Sequence, residues 1–303
     1  MNTRLFRLLL FAFVIAHSAA RAQQPTSFDL AVSSFRQNLF HDALQYFRKA
    51  QKDNPTHGEA HHGAAMSLYL TKRHKESLQH FASAEACANP QAQFFTNHAI
   101  CLEYLSRTEE AIVLLQRAIE IDAKFTNAWF NLGQFRLRQG KLDEALSSLK
   151  TTLKLDSKHK AAHYEMGNLF FARKDYKSAE IWAQRAVKLD ATNPAPLYLL
   201  ARTLLRLGRR EEGKNLAGKA LKLRLESDKK SRIRLKVNAS LTLAFDELRR
   251  KKISAAMEYF KIVLKYDPTN PQARSALTGL AAAYEKAGKT KTAAVIHALL
   301  KSL

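Results

Sequence analysis

Small and bulky apolar residues recur along the chain at a fixed spacing of 34 residues. Three columns hold small side chains (one Thr among them) through six successive periods; they begin at Ala31, Ala43 and Ala50. A fourth column begins at Phe47 and changes from bulky to small along the chain. Small side chains at fixed positions let two antiparallel helices approach closely, and the larger column fills the groove beside them. The pattern predicts a repeat of two helices that stacks into a solenoid.

A column of turn residues falls between the two predicted helices of each repeat. Loop signals that stop helices, such as Asn54-Pro55 and Asn193-Pro194, separate one repeat from the next. Glycine (10 residues) and proline (7 residues) are scarce, which favours an all-α chain over one rich in strands and turns. The turn column contains Asn38, Lys72, Ser106, Gly140, Lys174 and Gly208.

The spacing breaks once. After Gly213 the pattern resumes at Ala256, an offset of 43 residues, so nine extra residues lie around residues 225–232. They form either a lengthened helix or a basic loop, and the sequence leaves both readings open. We predict six repeats in residues 24–227, a basic junction at 228–236 and two repeats in 237–303.

The last predicted helix carries an apolar face. Solenoids usually need a polar cap on their final helix, and we expect that Val295, Ile296, Leu299 and Leu300 are not all covered by their own repeat. Self-association or partner binding through this C-terminal helix is therefore a hypothesis.

The repeat resembles that of the tetratricopeptide repeat family, whose signature reads W-x2-L-G-x2-Y, then A-x3-F, then P. The best match is Trp129, Leu132 and Gly133, followed by Gly140 and Ala145. The resemblance covers nearly the whole chain after residue 22. It implies an all-α, right-handed superhelical solenoid of about eight helix-turn-helix repeats. Further fragments are Ala43-x3-Phe47 with Pro55, Met166-Gly167, and Ala256-x3-Phe260 with Pro268.

The resemblance also implies where a ligand would be met, because the first helix of each repeat lines a concave groove in that family. Asn97 and Asn131 match an asparagine ladder in the repeats of O-linked N-acetylglucosamine transferase, where each amide can hold an extended peptide backbone. Here the ladder has two rungs, since Glu165 and Leu199 follow. The implied groove residues are Tyr69, Asn97, Phe130, Asn131, Gln134, Tyr164, Asn168, Tyr198, Arg202 and Arg206.

Residues 1–22 have the pattern of a secretory signal peptide. Arg4 and Arg7 precede an apolar run, and Ala20-Arg21-Ala22 forms a cleavage pattern. The run is shorter than the roughly 20 residues that span a bilayer, and no later stretch is long and apolar enough to do so. We therefore expect cleavage after Ala22 and a periplasmic or secreted bacterial protein that is not integral to the membrane.

The formal net charge of +22 is unevenly distributed. Residues 23–125 carry 10 basic and 11 acidic side chains, whereas residues 201–252 carry 17 and 6. Such a patch is suited to an acidic protein or an anionic envelope polymer; nucleic acid is not expected for an exported chain. The patch comprises Arg209, Arg210, Lys229, Lys230, Arg232, Arg234, Lys236, Arg249, Arg250, Lys251 and Lys252.

Motifs that suggest chemistry are weak. Gly208 to Asn215 nearly matches a phosphate-binding loop, but the hydroxyl residue is absent and both glycines fall on repeat columns. Two His pairs at i, i+4 spacing, His57/His61 and His159/His163, lack an evident third metal ligand. A packed side chain is the simpler interpretation of His61 and His163. We predict no enzyme, cofactor or metal. A metal-binding or pH-sensing role of the His-rich N-terminal repeats stays open.

The chain has two cysteines, Cys87 and Cys101, in a compartment where pairing is allowed. They form either a disulfide or two separately buried thiols.

The sequence thus favours a non-enzymatic interaction scaffold that holds a peptide or protein in its groove, in envelope assembly or secretion. The alternative is an electrostatic binder of anionic envelope polymer or lipid headgroups through the basic C-terminal region.

Overall fold

The structure, a computed structural model, describes residues 25–301. The predicted signal peptide at residues 1–22 lies outside the described residues. Within them the chain contains 15 α-helices and no strand, and it divides into two compact units, residues 25–189 and residues 190–301. The predicted all-α class is confirmed.

The first unit (unit 1) contains five helix pairs that follow the 34-residue period. The two helices of each pair pack against each other, and the second helix of each of the first four pairs contacts the first helix of the next pair. The helices are α1 (Ser27–Arg36), α2 (Phe40–Asp53), α3 (Gly58–Leu70), α4 (His74–Glu85), α5 (Ala92–Tyr104), α6 (Thr108–Ile121), α7 (Thr126–Arg138), α8 (Leu142–Leu155), α9 (Lys160–Ala172) and α10 (Tyr176–Leu189).

The second unit (unit 2) is built around one long helix. Its helices are α11 (Pro194–Arg206), α12 (Arg210–Arg249), α13 (Ile253–Tyr266), α14 (Pro271–Lys286) and α15 (Thr290–Lys301). The 40-residue α12 packs against α11 through its first part and against α13 through its last part. It therefore serves two repeats, which brings the number of helix pairs to eight. Residues 228–236 lie inside α12, so the extra residues form a lengthened helix and not a loop.

The columns of small residues lie where helices approach most closely. Ala31, Ala65 and Ala99 of the first column are fully buried. At Gly133 of the same column, an added Cβ would lie 2.9 Å from Cγ of Leu149, which belongs to the bulky column. This distance is too short for a carbon–carbon contact, so the close packing of α7 on α8 requires the glycine.

The predicted turn column ends the first helix of each repeat in the left-handed backbone conformation. In the second repeat, the N–H of Arg73 bonds to the carbonyl of Leu68 at 2.9 Å and the N–H of Lys72 bonds to that of Tyr69 at 3.0 Å. This arrangement closes a helix by satisfying its last carbonyls. All six predicted turn residues, from Asn38 to Gly208, have φ between 60° and 81°, and Lys251 (59°) and Gly288 (72°) continue the column after the break.

The C-terminal helix α15 is covered in part. Ile296 and Leu299 are buried in the apolar core of unit 2, together with Phe260 and Leu277. Val295 is 55% exposed, so one side chain of the apolar face remains accessible. The hypothesis of association through α15 stays a prediction.

Candidate functional site

The first helices of the repeats form the inner layer of unit 1. Each of them contacts the second helix of its own repeat, and successive first helices also contact each other. These contacts between first helices join α1 to α3, α3 to α5, α5 to α7, and α7 to α9. The resemblance placed the groove on these helices. Of the implied groove residues, Tyr69, Asn97, Phe130, Asn131, Gln134, Tyr164 and Asn168 lie on them, and all seven are partly buried.

A carboxylate connects two of the inner helices. Glu165 on α9 accepts a hydrogen bond from Nε2 of Gln134 on α7 at 3.0 Å (Oε1), and one from Nδ2 of Asn168 at 3.1 Å (Oε2). Both amides are predicted groove residues. Glu165 also lies at a predicted groove position, where it interrupts the asparagine ladder. The structure makes it the acceptor that orients the two amides on this face.

The two ladder asparagines use their amide N–H groups within the fold. Nδ2 of Asn97 donates to Nε2 of His62 at 2.9 Å, and Nδ2 of Asn131 donates to the carbonyl of Asn127 on its own helix at 2.7 Å. A bound peptide backbone would have to exchange these bonds for its own. The two asparagines therefore have different surroundings, although they occupy the same position of the repeat.

His62 is held as a neutral imidazole. Its ring stacks on Phe94 with centroids 4.7 Å apart and also contacts Phe81. Burial lowers the pKa of His62 to about 4, because taking the imidazolium out of water is unfavourable. At neutral pH the unprotonated Nε2 is thus available to accept the hydrogen bond from Asn97.

An aromatic cluster lies near the C-terminal ends of α3 and α5. The ring centroid of His74 lies 4.9 Å from that of Tyr69 and 4.1 Å from that of Tyr104. Tyr104 is 63% exposed. Burial, with smaller contributions from Cys101 and Tyr104, raises the pKa of Tyr69. Tyr104 was missed by the sequence reasoning, although it occupies the position of Arg206 in the 34-residue register.

The remaining predicted groove residues lie on α11, in unit 2. Tyr198 is 55% exposed, and the guanidinium carbon of Arg202 lies 5.9 Å from the centroid of its ring. Arg206 is exposed near the end of the same helix. These three side chains form a cationic and aromatic surface on α11.

The predicted basic patch extends along α12 and the turn that follows it. Some of its members are paired: Arg209 with Glu212, and Arg250 with Glu247 at 3.2 Å. Nζ of Lys236 lies 3.0 Å from the hydroxyl of Tyr266 on α13. Arg249 contacts Asp246 on its own helix, and Lys251 and Lys252 lie in the turn. Lys229, Lys230, Arg232 and Arg234 are exposed in the middle of α12.

The His pairs have structural roles. Nδ1 of His159 accepts the N–H of Ala162 at 3.1 Å and caps α9, and His57 caps α3 in the same way. Nε2 of His163 donates to the carbonyl of Ser157, six residues earlier, at 2.9 Å. His61 makes the equivalent bond to Pro55, and Nε1 of Trp129 makes it to Ala123. A His can thus replace the signature Trp because both rings present an N–H to the preceding loop.

Residues 25–301 contain no group of three or more His, Cys, Asp or Glu side chains that could hold a metal ion. In the same range, no helix is both long enough and apolar enough to cross a bilayer.

The two cysteines are free thiols in the structure. Sγ of Cys101 is buried and lies 3.1 Å from Oγ of Ser77, and burial raises the pKa of this thiol. Cys87 is partly buried beside Gly58, where an added Cβ would lie 2.5 Å from its sulfur.

Comparison with sequence families gives one consistent answer. A profile described as "Tetratricopeptide repeat" matches residues 28–92 and 130–194, and a second profile with the same description matches residues 105–152. Together the matches span just over half of the chain. The chain matches none of the curated proteins with which it was compared.

Solved structures of similar fold agree. The C-terminal part of a TPR repeat-containing protein from Cytophaga hutchinsonii aligns with a TM-score of 0.55 and 17% identity, over 81% of this chain and 97% of that one. PilW, described as a widely conserved type IV pilus biogenesis factor, aligns with a TM-score of 0.59 and 18% identity, over 64% of this chain and 90% of that one. PilF from Pseudomonas aeruginosa aligns with a TM-score of 0.57 and 21% identity, over 64% of this chain and 86% of that one. At these identities the likeness concerns the fold alone.

Proposed function

Because the chain belongs to the tetratricopeptide repeat family, we propose that it is a non-enzymatic scaffold that holds a peptide or protein segment on the inner face of unit 1. Proteins of this family generally mediate protein–protein interaction, and their fold is typically non-enzymatic. The observation that carries the proposal is the acceptor Glu165, which orients the amides of Gln134 and Asn168 between neighbouring inner helices.

The inner face offers two kinds of contact. The aromatic cluster of Tyr69, His74 and Tyr104 can pack against an apolar side chain of a ligand, and Tyr104 is its most exposed member. The cluster around Glu165 can exchange hydrogen bonds with a peptide backbone or with a polar side chain. Binding sites usually combine apolar contacts with a few preorganised polar groups, and the inner helices supply both.

Site-specific photo-crosslinking tests the proposal. A benzophenone amino acid in place of Tyr164 on inner helix α9 should capture one discrete protein in native cells, and the product should persist at high salt. The control places the same amino acid at Ile181, which is exposed on the outer helix α10. Absence of a product at Tyr164, or identical products at both positions, would refute a binding site on the inner face.

Affinity measurements with the captured partner then test the residues. The double variant Gln134→Ala/Asn168→Ala should weaken binding about tenfold, with little dependence on salt. Gln184→Ala, which removes an exposed amide on α10, is the matched control and should leave binding unchanged. Equal affinity of both variants would contradict a role for the Glu165 cluster.

A second candidate function rests on the exposed basic side chains of α12. They favour binding of an anionic envelope polymer or of lipid headgroups, which would weaken steeply with salt because the attraction between exposed charges is screened. Retention of polymer binding in a variant with Lys229, Lys230, Arg232 and Arg234 neutralised would exclude this patch as the site.

We further propose export across a bacterial inner membrane and action in envelope assembly or secretion. The support is the arrangement of Arg4, Arg7, the apolar run and Ala20-Arg21-Ala22 at the start of the sequence. N-terminal sequencing of the protein from its native cells should begin at Gln23. A first residue of Met1 would overturn the export proposal without affecting the binding site.

A further inference from the structure

The middle of α12 exposes leucine side chains that nothing in unit 2 covers. Between Ala220 and Val237 the helix has no buried residue. Leu221, Leu225 and Leu235 are 58%, 61% and 68% exposed. Elsewhere in the described residues, leucines of the repeat columns such as Leu115 and Leu149 are fully buried. Several exposed leucines on one short segment indicate an interaction surface.

These leucines follow the spacing of a coiled-coil seam. The residues at successive steps of four and three are Leu221, Leu225, Asp228, Arg232, Leu235 and Ala239, and all six are exposed. Alternating steps of four and three place side chains on one face of an α-helix, as the a and d positions of a heptad do. At 1.5 Å per residue the seam is about 27 Å long. We call this set the α12 seam.

A row of lysines borders the α12 seam. Lys222, Lys229 and Lys236 each follow a seam residue directly and are spaced seven residues apart. Lys222 and Lys229 are exposed, and Lys236 is exposed while contacting the hydroxyl of Tyr266. Residues that flank a coiled-coil seam form the ion pairs that select a partner helix. A lysine row therefore favours a partner helix with Glu or Asp at its flanking positions.

We propose that the α12 seam docks an acidic amphipathic helix of a partner protein, which pairs its own leucines with Leu221, Leu225 and Leu235. The ion pairs would involve Lys222 and Lys229. The proposal concerns unit 2 and is independent of a ligand on the inner face of unit 1. It competes with the second candidate function, because an anionic polymer or lipid headgroups would occupy the same segment of α12.

Charge distinguishes this occupant from two others. A second copy of the chain would bring its own lysine row to the same interface, and like charges across an interface are unfavourable. A lipid surface would have to accept Asp228, which lies in the middle of the seam, and a carboxylate is unfavourable both in hydrocarbon and near anionic headgroups. In a helix pair, Asp228 and Arg232 can meet opposite charges and define the register, as polar seam residues do in coiled coils.

Designed helical peptides of about 28 residues test the proposal against the full mature chain. The test peptide carries Leu at its seam positions, Glu at its flanking positions, and one Arg and one Asp to pair with Asp228 and Arg232. Two versions of it differ in whether the Arg precedes or follows the Asp, so that one suits parallel and the other antiparallel pairing. The control peptide has Lys in place of the flanking Glu. By fluorescence anisotropy, one of the two Glu-flanked peptides should bind at least about tenfold more tightly than its Lys-flanked counterpart.

Variants of the protein locate the binding. Leu225→Ser/Leu235→Ser should weaken the Glu-flanked peptide at least about tenfold, whereas Val113→Ser, an exposed apolar side chain on α6, should have no effect. The charge-reversed variant Lys222→Glu/Lys229→Glu should switch preference to the Lys-flanked peptide. Circular dichroism verifies that each variant is folded, since all substituted residues are exposed.

Other outcomes overturn the proposal. Equal binding of Glu- and Lys-flanked peptides, or no binding of either, would show that the flanking lysines do not select a helix. A concentration-dependent dimer that Leu225→Ser/Leu235→Ser abolishes would assign the seam to a second copy. Binding of phosphatidylglycerol vesicles or dextran sulfate that the leucine variant abolishes, without peptide binding, would assign it to a lipid or a polymer.

Discussion

Units 1 and 2 join the same kind of helix pair in two different ways. In unit 1 a short loop separates consecutive repeats; for example, α8 ends at Leu155 and α9 begins at Lys160. In unit 2 a short loop also separates α13 from α14, but at the preceding junction the second helix of one repeat continues as the first helix of the next, within α12. Both arrangements bury the small-residue columns, so packing within a pair does not determine how pairs are connected.

The difference has a consequence for the surface. A loop lets the chain turn, so the helices of unit 1 stay short and each of them contributes buried side chains. The continuous α12 buries Ala220 at the end of its first packed part and Val237 at the start of its second, and the residues between them contribute no buried side chain. A lengthened helix satisfies its own backbone hydrogen bonds without a partner, but it leaves apolar side chains such as Leu225 in water.

The largest expected effect is a difference in the free energy of unfolding between a substitution in the packed columns and one in the middle of α12. Phe81→Ala should lower the free energy of unfolding by about 3–5 kcal/mol, because Phe81 is fully buried and its removal leaves a cavity. Leu225→Ala should change it by less than about 0.5 kcal/mol. Urea denaturation followed by circular dichroism measures both. A large loss at Leu225 would show that the α12 segment is packed in solution.

Acid should destabilise unit 1 selectively. His62 has a pKa of about 4 in the fold against about 6.5 in an unfolded chain. Stability from this group is complete above pH 6.5 and is lost as the pH falls toward 4; between pH 7 and pH 5 the loss is about 2 kcal/mol. Among residues 190–301 the one histidine, His297, is partly exposed and paired with Glu285.

Tryptophan fluorescence measures this acid effect in unit 1, because both tryptophans, Trp129 and Trp182, lie there. The control is His62→Gln, which cannot titrate and should lose this part of the pH dependence. An unchanged pH dependence in the variant would mean that other groups cause it.

Hydrogen exchange should distinguish the two kinds of helix. Amides of residues 224–234 in α12 should exchange at least about tenfold faster than those of α9, because opening a segment without buried side chains costs less free energy. Mass spectrometry of peptides from both helices provides the comparison. Slower exchange in α12 would indicate that the segment is covered in the isolated protein.

The smallest expected effect concerns a turn common to both units. Lys174 in unit 1 and Lys251 in unit 2 adopt φ of 61° and 59°, a conformation that costs residues with a Cβ roughly 1 kcal/mol or more relative to glycine. Lys174→Gly and Lys251→Gly should each raise the free energy of unfolding by about 0.5–1 kcal/mol. Gly140→Ala, at φ 74°, is the reverse control and should lower it. No change at Lys251 would indicate that the turn in unit 2 relaxes.

The sequence predicted the repeats well because their determinants are local. The small residues that recur every 34 positions indicate where two helices touch. Turn residues such as Asn38 and Gly140 indicate where the first helix of a repeat ends. The sequence also predicted packed roles for His61 and His163, and the structure adds the loop carbonyls that they bind. Whether Cys87 and Cys101 pair could not be read from spacing, since a disulfide depends on the distance and direction of two side chains in space.

The site residues were predicted only in part, because their partners come from neighbouring repeats. The repeat register places Glu165 in the groove but does not give its partners, which are Gln134, 31 positions earlier, and Asn168. Asn97 and Asn131 looked equivalent by register. Their amide groups differ because His62 lies beside Asn97.

By itself, the sequence determined the family, the all-α class, the helix pairs and the position where their spacing breaks, since each follows from local periodicity. Only the tertiary structure decided that the extra residues extend a helix, because a charged segment of this composition is compatible with either a loop or a helix. The two parts of α12 that pack against neighbouring helices hold the segment between them in a helical conformation. The tertiary structure also decided which leucines are exposed, because Leu115 and Leu225 differ only in whether a neighbouring helix covers them.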